Sequence, residues 1–224
     1  MEAKIEKKKK EGYTSTKPSD TDTILQADVD LDNLPVYLCP NKPIGQSSLP
    51  DKVLNGKDTY AQRKHNGHCL IFVRGKNKVK VYTRRMEEIT EYVQNNPVIE
   101  KMMDQLPRGS FILSEAVFFH TILKMEVPRF TAQMIRHQDA DGGLGRYKNL
   151  SKVGTFTIIP FDALFLKHKF IGDHDYKERY GALVTLGFPV PDIFLQWQKL
   201  IEFAKKEGWE GFVLRVPGEK SHIS

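Results

Sequence analysis

Two apolar runs, Phe111 to Phe119 and Phe156 to Phe165, do most to limit how this chain can fold. Both are rich in Phe, Val, Ile and Leu, and both read as buried strands. Upstream, Ile71-Phe72-Val73 and Val79-Lys80-Val81-Tyr82 flank Gly75-Lys76-Asn77, with alternation on the second arm, which predicts a β-hairpin. Val98 to Leu106 predicts a short helix closed by Pro107 and Gly109. Phe194 to Lys206, entered after Pro191-Asp192, predicts an amphipathic helix with Leu195, Leu200, Ile201 and Ala204 among its apolar positions. Phe212 to Val216 predicts a final strand. Asp139 to Gly145 is glycine-rich, but it lacks the closing glutamate of an EF-hand and the strand-to-helix setting of a phosphate loop, so it reads as a surface turn. Strands paired mostly antiparallel, with flanking helices, make an α+β domain.

Residues 1–33 differ from this pattern. They are polar and charged, with a basic run at Lys7 to Lys10 and a Ser/Thr/Asp/Pro stretch at Ser15 to Asp22. They read as a charged arm or linker, with a DNA-binding tail as the alternative, ahead of one folded domain over residues 34–224. Lysine plus arginine exceed aspartate plus glutamate by 34 − 28 = 6, an excess that suits a polyphosphate or nucleic-acid partner. Cys39 and Cys69 are too few for a disulfide framework or a zinc site and fit a reducing compartment. No apolar run reaches membrane-spanning length and no signal peptide opens the chain. The expectation is an intracellular, cytoplasmic protein with no membrane partner.

Five short blocks carry the chemistry. They are Lys64-His65-Asn66-Gly67, Tyr82-Thr83-Arg84-Arg85, Leu113-Ser114-Glu115-Ala116, Ile159-Pro160-Phe161-Asp162, and Glu210 to Arg215. A deprotonated lysine amine can attack phosphorus. Glu115 lies inside an apolar strand, where a carboxylate is costly to bury without a ligand hydroxyl or a cation beside it. In this order the blocks resemble the nucleotidyltransferase domain of ATP-dependent DNA ligases, of a phage or viral type. That family carries K-x-D-G, an aromatic-S/T-R element, D-G-E, F-D, E-G-x-x-x-K/R and a last K-x-K. The resemblance covers about Leu34 to Arg215. The segment Asp175-Tyr176-Lys177-Glu178-Arg179, with Leu183 after it, resembles the family's E-R-x-x-L, its leucine one residue late.

The resemblance implies an ATP-grasp-like fold, ATP and Mg²⁺ as cofactors, and nicked duplex DNA as substrate. Lys64 would be the nucleophile toward the α-phosphate, helped by Arg63, Arg84 and the metal. Gly67 would let the chain turn tightly beside the nucleotide. Gln62 would accept from the adenine amino group through its amide oxygen, or else serve as a plain polar strand residue. Arg84 would contact the nucleotide and Glu115 the ribose hydroxyl, while Arg85 stays solvated. Phe161 would stack on adenine, with ordinary core packing as the alternative. Asp162 would support the metal or neighbouring lysines, Glu210 would hold Mg²⁺ by the α-phosphate, and Arg215 would keep the charge of the usual lysine. The histidines receive no role.

Several positions depart from the family pattern. Asn66 replaces the aspartate, Cys69 stands where DNA ligases place an arginine, and Ser114-Glu115 reduces D-G-E. Neither a K-x-K nor an OB-fold follows Arg215. The expectation is therefore a C-terminally incomplete adenylation domain that binds ATP but seals nicks poorly unless an OB-fold segment or a second polypeptide completes it. The alternatives are an RNA ligase, a guanylyltransferase, or a non-catalytic nucleic-acid-binding remnant.

Overall fold

The structure is a computed structural model that describes residues 30–32, 59–135, 148–215 and 218. The basic run at Lys7 to Lys10 and the glycine-rich stretch Asp139 to Gly145 lie outside the described residues. The predicted hairpin is present as β2 (His68–Arg74) and β3 (Val79–Thr83). The two long apolar runs form β4 (Ser110–His120) and β6 (Gly154–Leu166). With β7 (Lys169–Phe170) they make one sheet in the order β3-β2-β4-β6-β7, and β5 (Met125–Glu126) adds to the end of β4. A second, three-stranded sheet has β1 (Tyr60–Lys64) at its centre, between β8 (Ile193–Phe194) and β9 (Gly211–Arg215). Every pairing between these strands is antiparallel.

Strand alternation divides the core of the large sheet into two layers. Leu70, Phe72, Val81 and Ile112 face one side, where α1 (Thr90–Val93), α2 (Pro97–Gln105), α3 (Pro128–Ile135) and α4 (Tyr176–Thr185) contribute Val93, Ile99, Met134 and Leu183. Ile71, Val73, Phe111 and Leu113 face the other side, in a smaller cluster with Leu31 and Tyr82. Helix α2 begins where the sequence provides a cap: Asn96 accepts from the Val98 and Ile99 N–H groups, and Pro97 occupies the first turn. Leu31 belongs to the 1–33 segment, yet it is 6% exposed in the smaller cluster. Its neighbour Asp32 accepts from the N–H groups of Asn77 (3.2 Å) and Lys78 (3.1 Å) and so closes the β2–β3 turn. A side chain at Gly75 would meet the Asp32 carboxylate, so the hairpin turn and this anchor require each other.

The region predicted as one helix from Phe194 to Lys206 is built differently. Phe194 lies in β8, residues Trp197–Leu200 form a 3₁₀ helix, and α5 covers only Ile201–Lys206. Leu195, expected on the apolar face, is 72% exposed. Phe194 and Trp197 pack against Phe212 of β9, with Trp209 alongside, so the apolar spacing serves the small sheet rather than a helix face.

The pairing of β4 with β6 slips beside the F-D block. Leu113 pairs with Asp162 but Ser114 pairs with Pro160, leaving Phe161 as the extra residue of a bulge. Pro160 has no N–H for the ladder at this point. Asp162, expected to support the metal or neighbouring lysines, is buried and held by two donors of Arg179, Nε to Oδ1 at 2.7 Å and Nη2 to Oδ2 at 3.2 Å. The E-R-x-x-L segment on α4 therefore fastens the helix to the bulge, with Leu183 in the main core. Arg179→Met should cost about 3–5 kcal/mol, because it leaves a buried carboxylate without its partner. Urea unfolding of the two proteins at neutral pH measures that difference.

Candidate active site

The lysine block joins the two sheets. Lys64 ends β1 in the small sheet, and His65 to Gly67 form the turn into β2 of the large one. A Cβ on Gly67 would stand 2.1 Å from the Ala116 carbonyl oxygen. The glycine is needed for this close approach to β4 rather than for a left-handed backbone. Lys64 and Gln62 are two apart on β1 and face the same way, whereas Arg63 faces the other.

On the Lys64 side, its ammonium donates to the Glu210 carboxylate, and each side chain remains 38% exposed. Glu210 reaches this position because β9 pairs with β1, with Lys64 opposite Gly211, the residue after the glutamate. Glu115 comes from β4, where it is paired in register with Cys69. Burial pushes the Glu115 carboxyl up to about 7, against the opposing pull of Lys64, the Gly67 N–H and Arg84. Arg84 sits in a tight turn after β3. There the Thr83 hydroxyl accepts from the N–H groups of Arg85 (3.2 Å) and Glu87 (3.3 Å), which explains the Thr of the aromatic-S/T-R block. Arg85 is exposed, as expected.

On the Gln62 side, a buried tyrosine is the hub. Tyr176, at the start of α4, has its hydroxyl 2.7 Å from the Phe161 carbonyl and 2.8 Å from Gln62 Oε1. Arg215 of β9 donates through Nε to the same Gln62 oxygen at 3.4 Å, and its guanidinium lies 4.0 Å over the Tyr176 ring. Burial raises the Tyr176 hydroxyl far above its ordinary value, so it stays protonated. Gln62 Nε2 is buried with no partner. Phe161 is half-buried at the edge of the smaller cluster, re-aimed by its bulge. Lys64, Glu210, Glu115, Gly67 and Arg84 thus form one group, and Gln62, Phe161 and Arg215 a second, with β1 running through both.

Arg63 does not join them. It points to the far side of β1, 4.9 Å over the Trp209 ring, with Nη2 2.8 Å from Glu126. Two residues of the lysine turn that carried no expectation also meet Glu126: His65 through Nδ1 (2.8 Å) and Asn66 through its backbone N–H (2.6 Å). Glu126 itself passed unnoticed in the sequence. The available signal was an acid between Met125 and Val127, the same anomaly that marks Glu115, but without a family block around it.

Among the described residues, no group of three or more His, Cys, Asp or Glu side chains is placed to hold a metal ion. No helix among them is long and apolar enough to cross a membrane.

The raised Glu115 carboxyl makes a pH prediction. The folded state holds this proton more tightly than the unfolded state, so its contribution to stability is complete below the ordinary carboxylate value of 4.5. It is lost as pH rises toward about 7. The shift amounts to about 3 kcal/mol. Glu115→Gln should flatten the fall in unfolding free energy between pH 5 and pH 8, read by urea titration at each pH.

A family model described as "ATP dependent DNA ligase domain" matches residues 47–220. No curated protein matches the chain. Among solved structures, the chain is similar to a mycobacterial DNA ligase D complexed with ATP and MES, with TM-score 0.55 and 18% identity, covering 75% of this chain and 52% of that one. It is similar to the ligase domain of LigD from M. tuberculosis, with TM-score 0.54, 18% identity and shares of 75% and 52%. A third structure, Pmar-Lig_PreS3, has TM-score 0.55 and 13% identity, covering 85% of this chain and 45% of that one. At such identities the likeness is one of fold, and the chain spans about half the length of the ligase chains it matches. The family match takes in well over half of the residues, and so the chain belongs to the ATP-dependent DNA ligase domain family.

Proposed function

We propose that this chain is the adenylation domain of a ligase that seals nicked DNA, with Lys64 as the residue that carries AMP. The observation that carries the reading is the meeting of Lys64 with Glu210 on the face of β1 that also presents Gln62. Lys64 Nζ attacks the α-phosphorus of ATP, the bond to pyrophosphate breaks, and the amine gives up a proton as the phosphoramidate forms. The Lys64 ammonium has no lone pair, so it must first lose a proton to water, and Glu210 must turn to another cation to leave the amine free to approach phosphorus.

Mg²⁺ suits that cation. It takes one or two carboxylates and completes its shell with water and phosphate oxygens, so the exposed Glu210 beside Lys64 is an adequate protein ligand. When bound, the ion would neutralise phosphate charge. Glu115 would meet a ribose hydroxyl, a second hydrogen-bonding partner for this costly carboxylate beside the Gly67 N–H. Arg84 supports the phosphate end. Phe161, half-buried, is the candidate stacking surface for the base.

Tyr176 bears on the choice of base. A phenol has one proton, so it satisfies either the Phe161 carbonyl or Gln62 Oε1 at any moment. When the proton goes to Phe161 and Arg215 Nε leaves the Gln62 amide, a half-turn of that amide lets Nε2 donate to the tyrosine oxygen. Oε1 then faces the nucleotide as an acceptor. That arrangement matches the 6-amino group of adenine, not the 6-oxo group of guanine.

Incubation with Mg²⁺ and α-labelled ATP should label the chain covalently, and α-labelled GTP should not. Lys64→Ala should abolish the label. Glu210→Gln, which keeps size but removes charge, should slow it by about a hundredfold or more. AMP mapped to another lysine would sink the assignment. Absence of label with either nucleotide would leave a non-catalytic binding domain as the better reading.

A further inference from the structure

The lysine turn of this protein lacks the aspartate of K-x-D-G, yet a carboxylate reaches it from another strand. Glu126 belongs to β5, which is attached to the end of β4 through the Phe119–Glu126 pair. It is 8% exposed. Oε1 receives Arg63 Nη2 and His65 Nδ1, each at 2.8 Å, and Oε2 receives the Asn66 N–H at 2.6 Å. These donors come from the residues directly before and directly after Lys64 and from the next one along. A single buried anion therefore grips the chain on both sides of the lysine, through the Arg63 and His65 side chains and the Asn66 N–H.

We propose that Glu126 is the positioning residue for Lys64, supplying from β5 the negative charge that Asn66 removes from the block itself. This rests on the adenylation reading for its purpose, though the clamp itself is read from the geometry. The residues of the clamp support it in two further ways. Arg63 is stacked on Trp209 at 4.9 Å, so its guanidinium has little freedom to leave the carboxylate. Burial works to raise the Glu126 carboxyl, but the His65 and Asn66 hydrogen bonds and the Arg63 charge outweigh it and hold it below the ordinary range. The carboxylate is thus kept ionised at neutral pH in the place where the turn needs an acceptor.

The test is Glu126→Gln in the full chain, read in two ways. Competitive acetylation with trace acetic anhydride, mapped by mass spectrometry, compares Lys64 with the other lysines of the same molecule and needs no nucleotide. Single-turnover labelling with α-labelled ATP and Mg²⁺ gives the rate of lysyl-AMP formation and the Kd for ATP. We expect the relative reactivity of Lys64 to change by at least about threefold and the labelling rate to fall about ten- to a hundredfold. The Kd for ATP should move less than about threefold, because misplacing an attacking group costs rate rather than binding. Asn66→Asp added to Glu126→Gln returns an anion to the turn and should recover most of the rate. A residue that merely held the fold together would not be rescued from that position.

Unchanged acetylation together with an unchanged rate would overturn the proposal, as would a Kd that weakens as much as the rate falls. A wild-type chain that takes no label refutes the adenylation reading instead, and acetylation alone then decides the role of Glu126. Should Glu126→Gln lose its thermal transition, Arg63→Met and His65→Phe each leave the carboxylate two of its three donors. Each should then lower the rate about three- to tenfold, and no effect from either would overturn the clamp.

Discussion

The lysine block can work only because its turn is pressed against β4. Gly67 lies so close to the Ala116 carbonyl that no side chain fits between them. That contact fixes where β1 of the small sheet passes into β2 of the large one, and hence where the small sheet stands. From there the placements follow by strand pairing. The turn brings Lys64 beside Glu115 on β4, and the register of β9 on β1 brings Glu210 to the lysine. A larger residue at position 67 would have to push one sheet away from the other, separating groups that are more than forty residues apart in sequence.

A second fixed point lies at the bulge in β6. A regular ladder would have turned Phe161 by strand alternation alone, but the slipped register with Pro160 lets the ring and the carbonyl serve different partners. The carbonyl goes to Tyr176 and the ring to the edge of the smaller core cluster. Arg179 secures the arrangement by gripping Asp162 from α4, the helix that also carries Tyr176. Helix α4 thus ties the bulge to Gln62 of β1 through two residues three apart, on one face of the helix.

The large sheet was legible in the sequence because its strands are long and bounded by turns, and because Ile71, Val73, Phe111 and Leu113 each find an apolar layer. The small sheet was harder to see. Strand β8 has two residues and no period to detect, and its Phe194 together with Trp197, Ile201 and Ala204 mimics a helical face. What separates the two readings is the aromatic group around Phe212 and Trp209, a tertiary fact that local spacing does not contain. Lys64, Glu115 and Glu210 were legible through ordered blocks, and Glu115 also through the cost of a carboxylate in an apolar strand. The pairing of Asp162 with Arg179 was not legible, because nothing local reveals a partner on a helix that begins fourteen residues later. Glu126 escaped notice because its three donors lie some sixty residues upstream.

Strand alternation also settles how the lysine can be held and yet remain available. Gln62 and Lys64 occupy one face of β1 and Arg63 the other, where His65 of the turn reaches the same carboxylate. A clamp on the second face restrains the lysine turn through Arg63, His65 and Asn66, and its charge is felt as far as Glu115. An aspartate at position 66 would sit in an exposed turn, where water screens it. The carboxylate of Glu126 is buried and meets its donors at hydrogen-bonding distance, so each contact is less screened and better directed. Asparagine at position 66 needs only its backbone N–H for this arrangement, which is why the loss of the aspartate leaves the geometry of the turn intact.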